Sequence, residues 1–147
     1  MDNKPVTLTI PSDAKYLSLA RKVIEHFLGY KEVPADQIYK VVLCVDEACS
    51  NIIKYSYEGN FDCPIEITFR LEAEEFAVEV RDYGKQCDPQ MFKPRRLDQI
   101  RPGGLGTLFI NSIMDSVHYC TERDSGTLLT MKKKLNLAPQ KPTPQEN

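Results

Sequence analysis

The sequence predicts an α/β, or α+β, two-layer sandwich: a mostly antiparallel mixed sheet with helices on one face. Three observations lead there. Strictly alternating segments come in pairs joined by tight turns, two long stretches repeat instead at helical spacing, and the order strand, helix, helix, strand, strand, loop, helix, strand, strand lacks the regular βαβ alternation of a doubly wound parallel fold.

Each element follows from its local pattern. Val6, Leu8 and Ile10 alternate with Thr7 and Thr9, and Pro11 closes this strand. Ser12 is placed to cap the next helix, in which Leu17, Ala20, Ile24, Phe27 and Leu28 share a face and Gly29 supplies a stop. His26 falls on the surface of that helix. Pro34 opens a second helix reaching about Tyr57, with Ile38, Val41, Val42, Val45, Cys49 and Ile52 on its apolar stripe. Ile65, Ile67, Phe69 and Leu71 form one arm of a hairpin, Phe76, Val78 and Val80 the other, and Ala73-Glu74 the turn. The polar stretch from Asp82 to Arg101 shows no period and reads as a functional loop or lid. Leu105 to Met114 is a third helix, Val117 and Tyr119 lie in a strand, Asp124-Ser125-Gly126 is a turn, and Leu128 to Leu135 is the last strand.

At 147 residues the chain supports one domain, taken as 1–135, followed by a Pro-rich segment, 136–147, expected to be disordered. Nineteen basic against twenty-one acidic residues leave no global field for nucleic acid or an anionic membrane, so partners must be recognised locally. Five cysteines without a C-x-x-C pair read as small core residues in a reducing compartment. No apolar run approaches the roughly 18 residues that span a bilayer, and the expected location is cytoplasmic.

Three constellations carry chemistry. Glu47 and Asn51, one turn apart on the second helix, lie away from the stripe centred near Val45 and Cys49. Such a pair also fits a solvated helix face. Beneath a bound nucleotide, Asn51 could offer its carbonyl oxygen to Mg2+, and Glu47 could accept a proton from an attacking hydroxyl or orient a water. Asp82 ends a strand, and Gly84 allows a tight turn beside it. A buried carboxylate there accepts from the exocyclic amine of adenine. Guanine presents a carbonyl instead, and two facing acceptors cost about 1–3 kcal/mol.

The third constellation, Gly103-Gly104-Leu105-Gly106, lets backbone approach a ligand at a helix start, where free N–H groups favour phosphate. Thr107 follows, its hydroxyl suited equally to a phosphate or to capping the helix. Arg101 is the one loop cation nominated for the terminal phosphate. A dinucleotide fingerprint would place glycine where Phe109 stands, and a Walker loop needs a Gly-Lys-Ser/Thr that is absent.

The run from Asp46 to Tyr57 resembles the N box of the GHKL ATPase superfamily, specifically its anti-sigma-factor serine/threonine-protein kinase branch. Asp82-Tyr83-Gly84 with Asp88-Pro89 is similar to the first glycine box, and Gly103 to Gly106 with Met114-Asp115 to the second, within a match from about Val6 to Leu135. The resemblance implies a Bergerat-type fold binding Mg-ATP. Its implied roles are Glu47 as general base, Asn51 as Mg2+ ligand, Asp82 as adenine reader, Gly84 beside the base, and Gly104 and Gly106 at the phosphates. It further implies transfer of the ATP γ-phosphate to a small antagonist (STAS-type) protein, a sigma factor as the competing partner, and a homodimer. Tyr55 replaces a histidine common in the branch, and Gln86 a glycine. Two alternatives stay open: a non-catalytic, ATP-dependent binding module that sequesters a sigma factor or other regulator, and a histidine-kinase-like domain, disfavoured because no phosphoacceptor helix pair accompanies it.

Overall fold

The computed structural model describes residues 4–85, 104–121 and 125–137, with side chains from residue 108 onward in the third helix. The loop segment 86–103, including Arg101 and Gly103, lies outside the described residues, as do Glu122 to Asp124 and residues 138–147.

Five strands form one sheet: β1 (Val6–Pro11), β2 (Pro64–Glu72), β3 (Glu75–Asp82), β4 (Ser116–Cys120) and β5 (Thr127–Lys134), in the order β1-β2-β3-β5-β4. All four strand pairings are antiparallel, so the expected antiparallel character is present and no parallel pair occurs among the described residues. The β2–β3 hairpin turns at Ala73, whose φ of 53° is the left-handed conformation a two-residue connection demands.

Alternation decides which face is covered. Ile65, Ile67, Phe69 and Leu71 on β2 and Phe76, Val78 and Val80 on β3 are buried, while Arg70 and Glu79 on the other face are exposed. Helices α1 (Leu17–Tyr30), α2 (Ala35–Asn51) and α3 (Gly104–Ile113) share the buried side. Phe27 of α1 meets Phe69 edge to face, ring centroids 5.0 Å apart. Each large side chain so buried contributes about 1.5–3 kcal/mol of transfer free energy. Helix α2 lies between α1 and α3 and is buried on two sides, through Val41, Val42, Cys44, Val45, Ala48 and Cys49. Burial pushes the Cys44 and Cys49 thiols up to about 12, so both behave as core residues.

Three local expectations change. Ser12 does not cap a helix: Asp13 does, accepting from Lys15 N–H at the start of a short 3-10 turn, Ala14–Tyr16. Ser12 is fully buried, where its hydroxyl donates to the Asn60 carbonyl and accepts from Cys63 N–H, fastening β1 to the chain entering β2. Gly29 does not stop α1, which continues through Tyr30 and breaks at Glu32, φ 62°. The second helix does not run regularly to Tyr57. After Asn51 it widens into a π-type turn, Ile52–Ser56, closed by Tyr57 N–H donating to the Ile52 carbonyl at 2.9 Å.

Beyond β5, Leu135 is buried, and Asn136 exchanges two hydrogen bonds with the Gln37 side chain at 2.8 and 3.2 Å. These docked residues include Asn136, which composition alone assigns to the C-terminal segment.

Candidate functional site

A small pocket, partly open to solvent, lies between the end of α2 and the sheet. Ala48, Asn51 and Ile52 form one wall with Ser56 of the wide turn. Val80 and Asp82 of β3, Tyr119 of β4, and Thr127 and Leu129 of β5 form the other. An apolar floor under a few convergent polar groups is the usual construction of a small-molecule site.

Asp82 is the group most altered by its surroundings. It is only 2% exposed, and burial raises its carboxyl above the ordinary carboxylate value, opposed by hydrogen bonds from Gly84 N–H, the Ser56 side chain and Thr127 N–H. Gly84 N–H reaches Oδ1 at 3.0 Å. The strand holds this carboxylate because β3 pairs with β5 up to its last residue, Asp82 opposite Thr127.

The turn beyond Asp82 is clamped from three directions. Lys85 N–H donates to the Ser56 carbonyl at 2.8 Å, Gly126 N–H to the Gly84 carbonyl at 3.0 Å, and Tyr83 N–H to the Tyr57 hydroxyl at 2.8 Å. Tyr57 in turn donates to the Pro64 carbonyl at 2.6 Å. Two glycines are required by contact. A Cβ on Gly84 would stand 2.3 Å from the Ser56 carbonyl oxygen, and one on Gly126, already at φ 77°, 1.9 Å from that of Asp82.

Asn51 and Asp82 line the pocket from opposite walls, and Gly84 lies beside it, its N–H bound to the Asp82 carboxylate. Glu47 is half-buried one turn before Asn51 on α2 and is not part of the pocket lining. Both residues are half-buried rather than freely solvated. Gly104, Leu105, Gly106 and Thr107 form the first turn of α3; Ile110 and Met114, farther along, anchor it in the core. At its other end, Lys133 Nζ donates to the Ile113 carbonyl at 2.8 Å, satisfying a helix C-terminal acceptor.

Sequence reading missed Ser56, Tyr57, Tyr119, Thr127 and Gly126 as site components. Gly126 carried a signal as a turn residue, and Ser56 and Tyr57 lie within the run that resembles the N box, but the change of helical period concealed where they point.

No group of three or more His, Cys, Asp or Glu able to hold a metal occurs among the described residues. On the pocket wall, the Asn51 side-chain carbonyl is an oxygen donor of the kind Mg2+ takes together with substrate phosphates. Nor is any helix among the described residues long and apolar enough to cross a membrane.

A helix-covered antiparallel sheet with a buried strand-end carboxylate facing a helical asparagine belongs to a recognisable class. The family model of the histidine kinase-like ATPase domain matches residues 10–133, and the chain belongs to that family. Among characterised relatives, serine-protein kinase RsbW of Halalkalibacterium halodurans is 26% identical over 137 residues, covering 87% of this chain and 82% of that protein. Serine-protein kinase RsbW of Staphylococcus aureus is 27% identical over 137 residues, covering 87% and 85%.

Solved structures show the same fold. The crystal structure of the RsbU and RsbW domains of a Mycobacterium tuberculosis protein matches with a TM-score of 0.67 at 14% identity, covering 90% of this chain and 32% of that one. This chain thus spans about a third of that protein's structure. The histidine kinase domain of the Erythrobacter litoralis blue-light activated histidine kinase matches with a TM-score of 0.56 at 16% identity, covering 86% and 62%.

Proposed function

We propose that the chain is an ATP-dependent serine/threonine protein kinase of the anti-sigma kind, acting in the cytoplasm as a homodimer and switching between a sigma factor and a small antagonist protein of STAS type. The single observation that carries the reading is the buried Asp82 carboxylate facing Asn51 across one pocket, in a chain whose relatives are named serine-protein kinases.

Asp82 accepts from the adenine amine, with Gly84 backbone against the base. Asn51 contributes an oxygen to Mg2+, and the ion, when bound, neutralises phosphate charge. Gly103, Gly104 and Gly106 free backbone N–H groups for the phosphates, with Arg101 and Thr107 as further contacts. Glu47 takes the proton of the attacking serine or threonine hydroxyl as its oxygen bonds to the γ-phosphorus and ADP leaves. The retained Glu47 favours transfer over a module that only binds ATP.

The test is calorimetric titration with a non-hydrolysable ATP analogue, with and without Mg2+, against the GTP analogue, followed by phosphoryl transfer to a candidate antagonist. Mg-dependent, adenine-selective binding with transfer supports the kinase. Binding without transfer to any antagonist favours the module, and no binding at millimolar nucleotide removes the ATP reading altogether.

A further inference from the structure

We infer that Tyr57 is a positioning residue for base selectivity, its hydroxyl and ring together fixing the Tyr83–Gly84 turn that sets the direction of the Asp82 carboxylate. This rests on the reading of the pocket as an ATP site and gives Tyr57 a role that the motif resemblance does not assign.

The wide turn is what delivers Tyr57. Its N–H donates to the Ile52 carbonyl at 2.9 Å, a bond between residues five apart, one more than an α-helix spans. Tyr57 therefore takes a different bearing from the one an unbroken helix would give it. It is left only 8% exposed, between Pro64 at the start of β2 and the turn that follows β3.

Hydroxyl and ring both act on that turn. Tyr83 N–H donates to the hydroxyl at 2.8 Å, and the hydroxyl donates its single proton to the Pro64 carbonyl at 2.6 Å. An amide N–H can only donate and a carbonyl can only accept, so the direction of both bonds is fixed. Burial pushes the phenol up to about 12, which keeps that proton in place. The ring lies so close to Gly84 that an added Cβ would stand 2.9 Å from Tyr57 Cδ1.

One further bond carries the effect to the carboxylate. Gly84 N–H donates to Asp82 Oδ1 at 3.0 Å, so the carboxylate follows the backbone that Tyr57 holds. Asp82 ends β3 opposite Thr127; the strand fixes its Cα, and the turn decides where its side chain points. Hydrogen bonds weaken steeply when misaligned, and a carboxylate distinguishes an exocyclic amine from a carbonyl only while it is aimed at that position. Without the Tyr57 hydroxyl the turn keeps its bonds from Lys85 N–H to the Ser56 carbonyl and from Gly126 N–H to the Gly84 carbonyl, but loses its tie to Pro64. The pocket survives and its aim is lost.

The experiment measures what the amine is worth. Calorimetry compares a non-hydrolysable ATP analogue with the matching analogue of purine riboside triphosphate, which lacks the exocyclic amine, in wild type, Tyr57→Phe and Ile24→Val. The last is a core change in α1 that controls for general destabilisation. Loss of one positioning hydrogen bond predicts that the affinity ratio shrinks about three- to tenfold in Tyr57→Phe, with Ile24→Val unchanged. Amide hydrogen exchange reads the same bond in the unaltered protein: Tyr83 N–H should be protected, and more so with the ATP analogue than with the amine-free one. A wild-type ratio in Tyr57→Phe, an equal shrinkage in Ile24→Val, or a Tyr83 amide that exchanges at the unprotected rate overturns the inference. A wild-type protein that binds both analogues equally overturns the adenine role of Asp82 itself, and one that binds neither overturns the ATP reading, each taking this inference with it.

Discussion

The backbone N–H of Tyr83 donates to the hydroxyl of Tyr57 at 2.8 Å, and that hydroxyl donates onward to the Pro64 carbonyl at 2.6 Å. One buried phenol thus joins the end of the wide turn, the start of β2 and the backbone just past Asp82. The chain segments that meet around Asp82 cannot move apart without breaking this link.

Tyr57→Phe leaves the Tyr83 N–H and the Pro64 carbonyl without their partner at a part-buried site. The expected loss is about 1–3 kcal/mol, visible as a lower denaturant midpoint with unchanged slope. An unchanged midpoint would mean that the link is dispensable.

Glycine substitutions should separate sharply by position. Gly126→Ala forces a Cβ against the Asp82 carbonyl at a left-handed φ and should unfold or severely destabilise the protein, whereas Gly29 lies in α1 with nothing within 4 Å of its added Cβ. Gly29→Ala is expected to stabilise by about 0.4–1 kcal/mol through helix propensity and a less flexible unfolded chain. Thermal melts of the two variants check both.

Asp82 couples stability to pH with a definite sign. Its folded pKa is raised, so its contribution is fully present below the unfolded value of 3.8 and is lost as pH rises through the higher folded value. The proposed adenine contact predicts that nucleotide affinity runs the other way, falling as Asp82 protonates on acidification. In Asp82→Asn both pH dependences should flatten and ATP should lose its advantage over GTP. Parallel urea titrations and calorimetry across pH 3 to 8 measure the two; a preserved nucleotide ratio would place adenine recognition elsewhere.

Glu47 and Asn51 should divide catalysis from metal binding. Glu47→Ala is expected to slow phosphoryl transfer by about 100- to 10,000-fold while leaving Mg-ATP affinity within a few fold. Asn51→Ala should weaken nucleotide binding only when Mg2+ is present. Single-turnover transfer assays and titrations with and without Mg2+ distinguish them, and equal loss of both properties in Glu47→Ala would sink the general-base role.

The sequence by itself determined the order and type of the elements, because each is written in a short-range period: two for Ile65, Ile67, Phe69 and Leu71, and near 3.6 for Val41, Val45 and Cys49. It also pointed to two residues of the pocket lining, Asn51 and Asp82, which lie within the motifs that carry the resemblance. Tertiary structure decided the rest. Ser12 is a buried clasp because its partners, Asn60 and Cys63, come from some fifty positions away and outcompete a local cap. The helix widens after Asn51 where Tyr57 and the Ser56 carbonyl are claimed by Pro64, Tyr83 and Lys85, partners that no local period encodes. Asp82 owes its raised pKa to burial by the whole sheet and helix layer, and only packing between distant segments could take that carboxylate out of water.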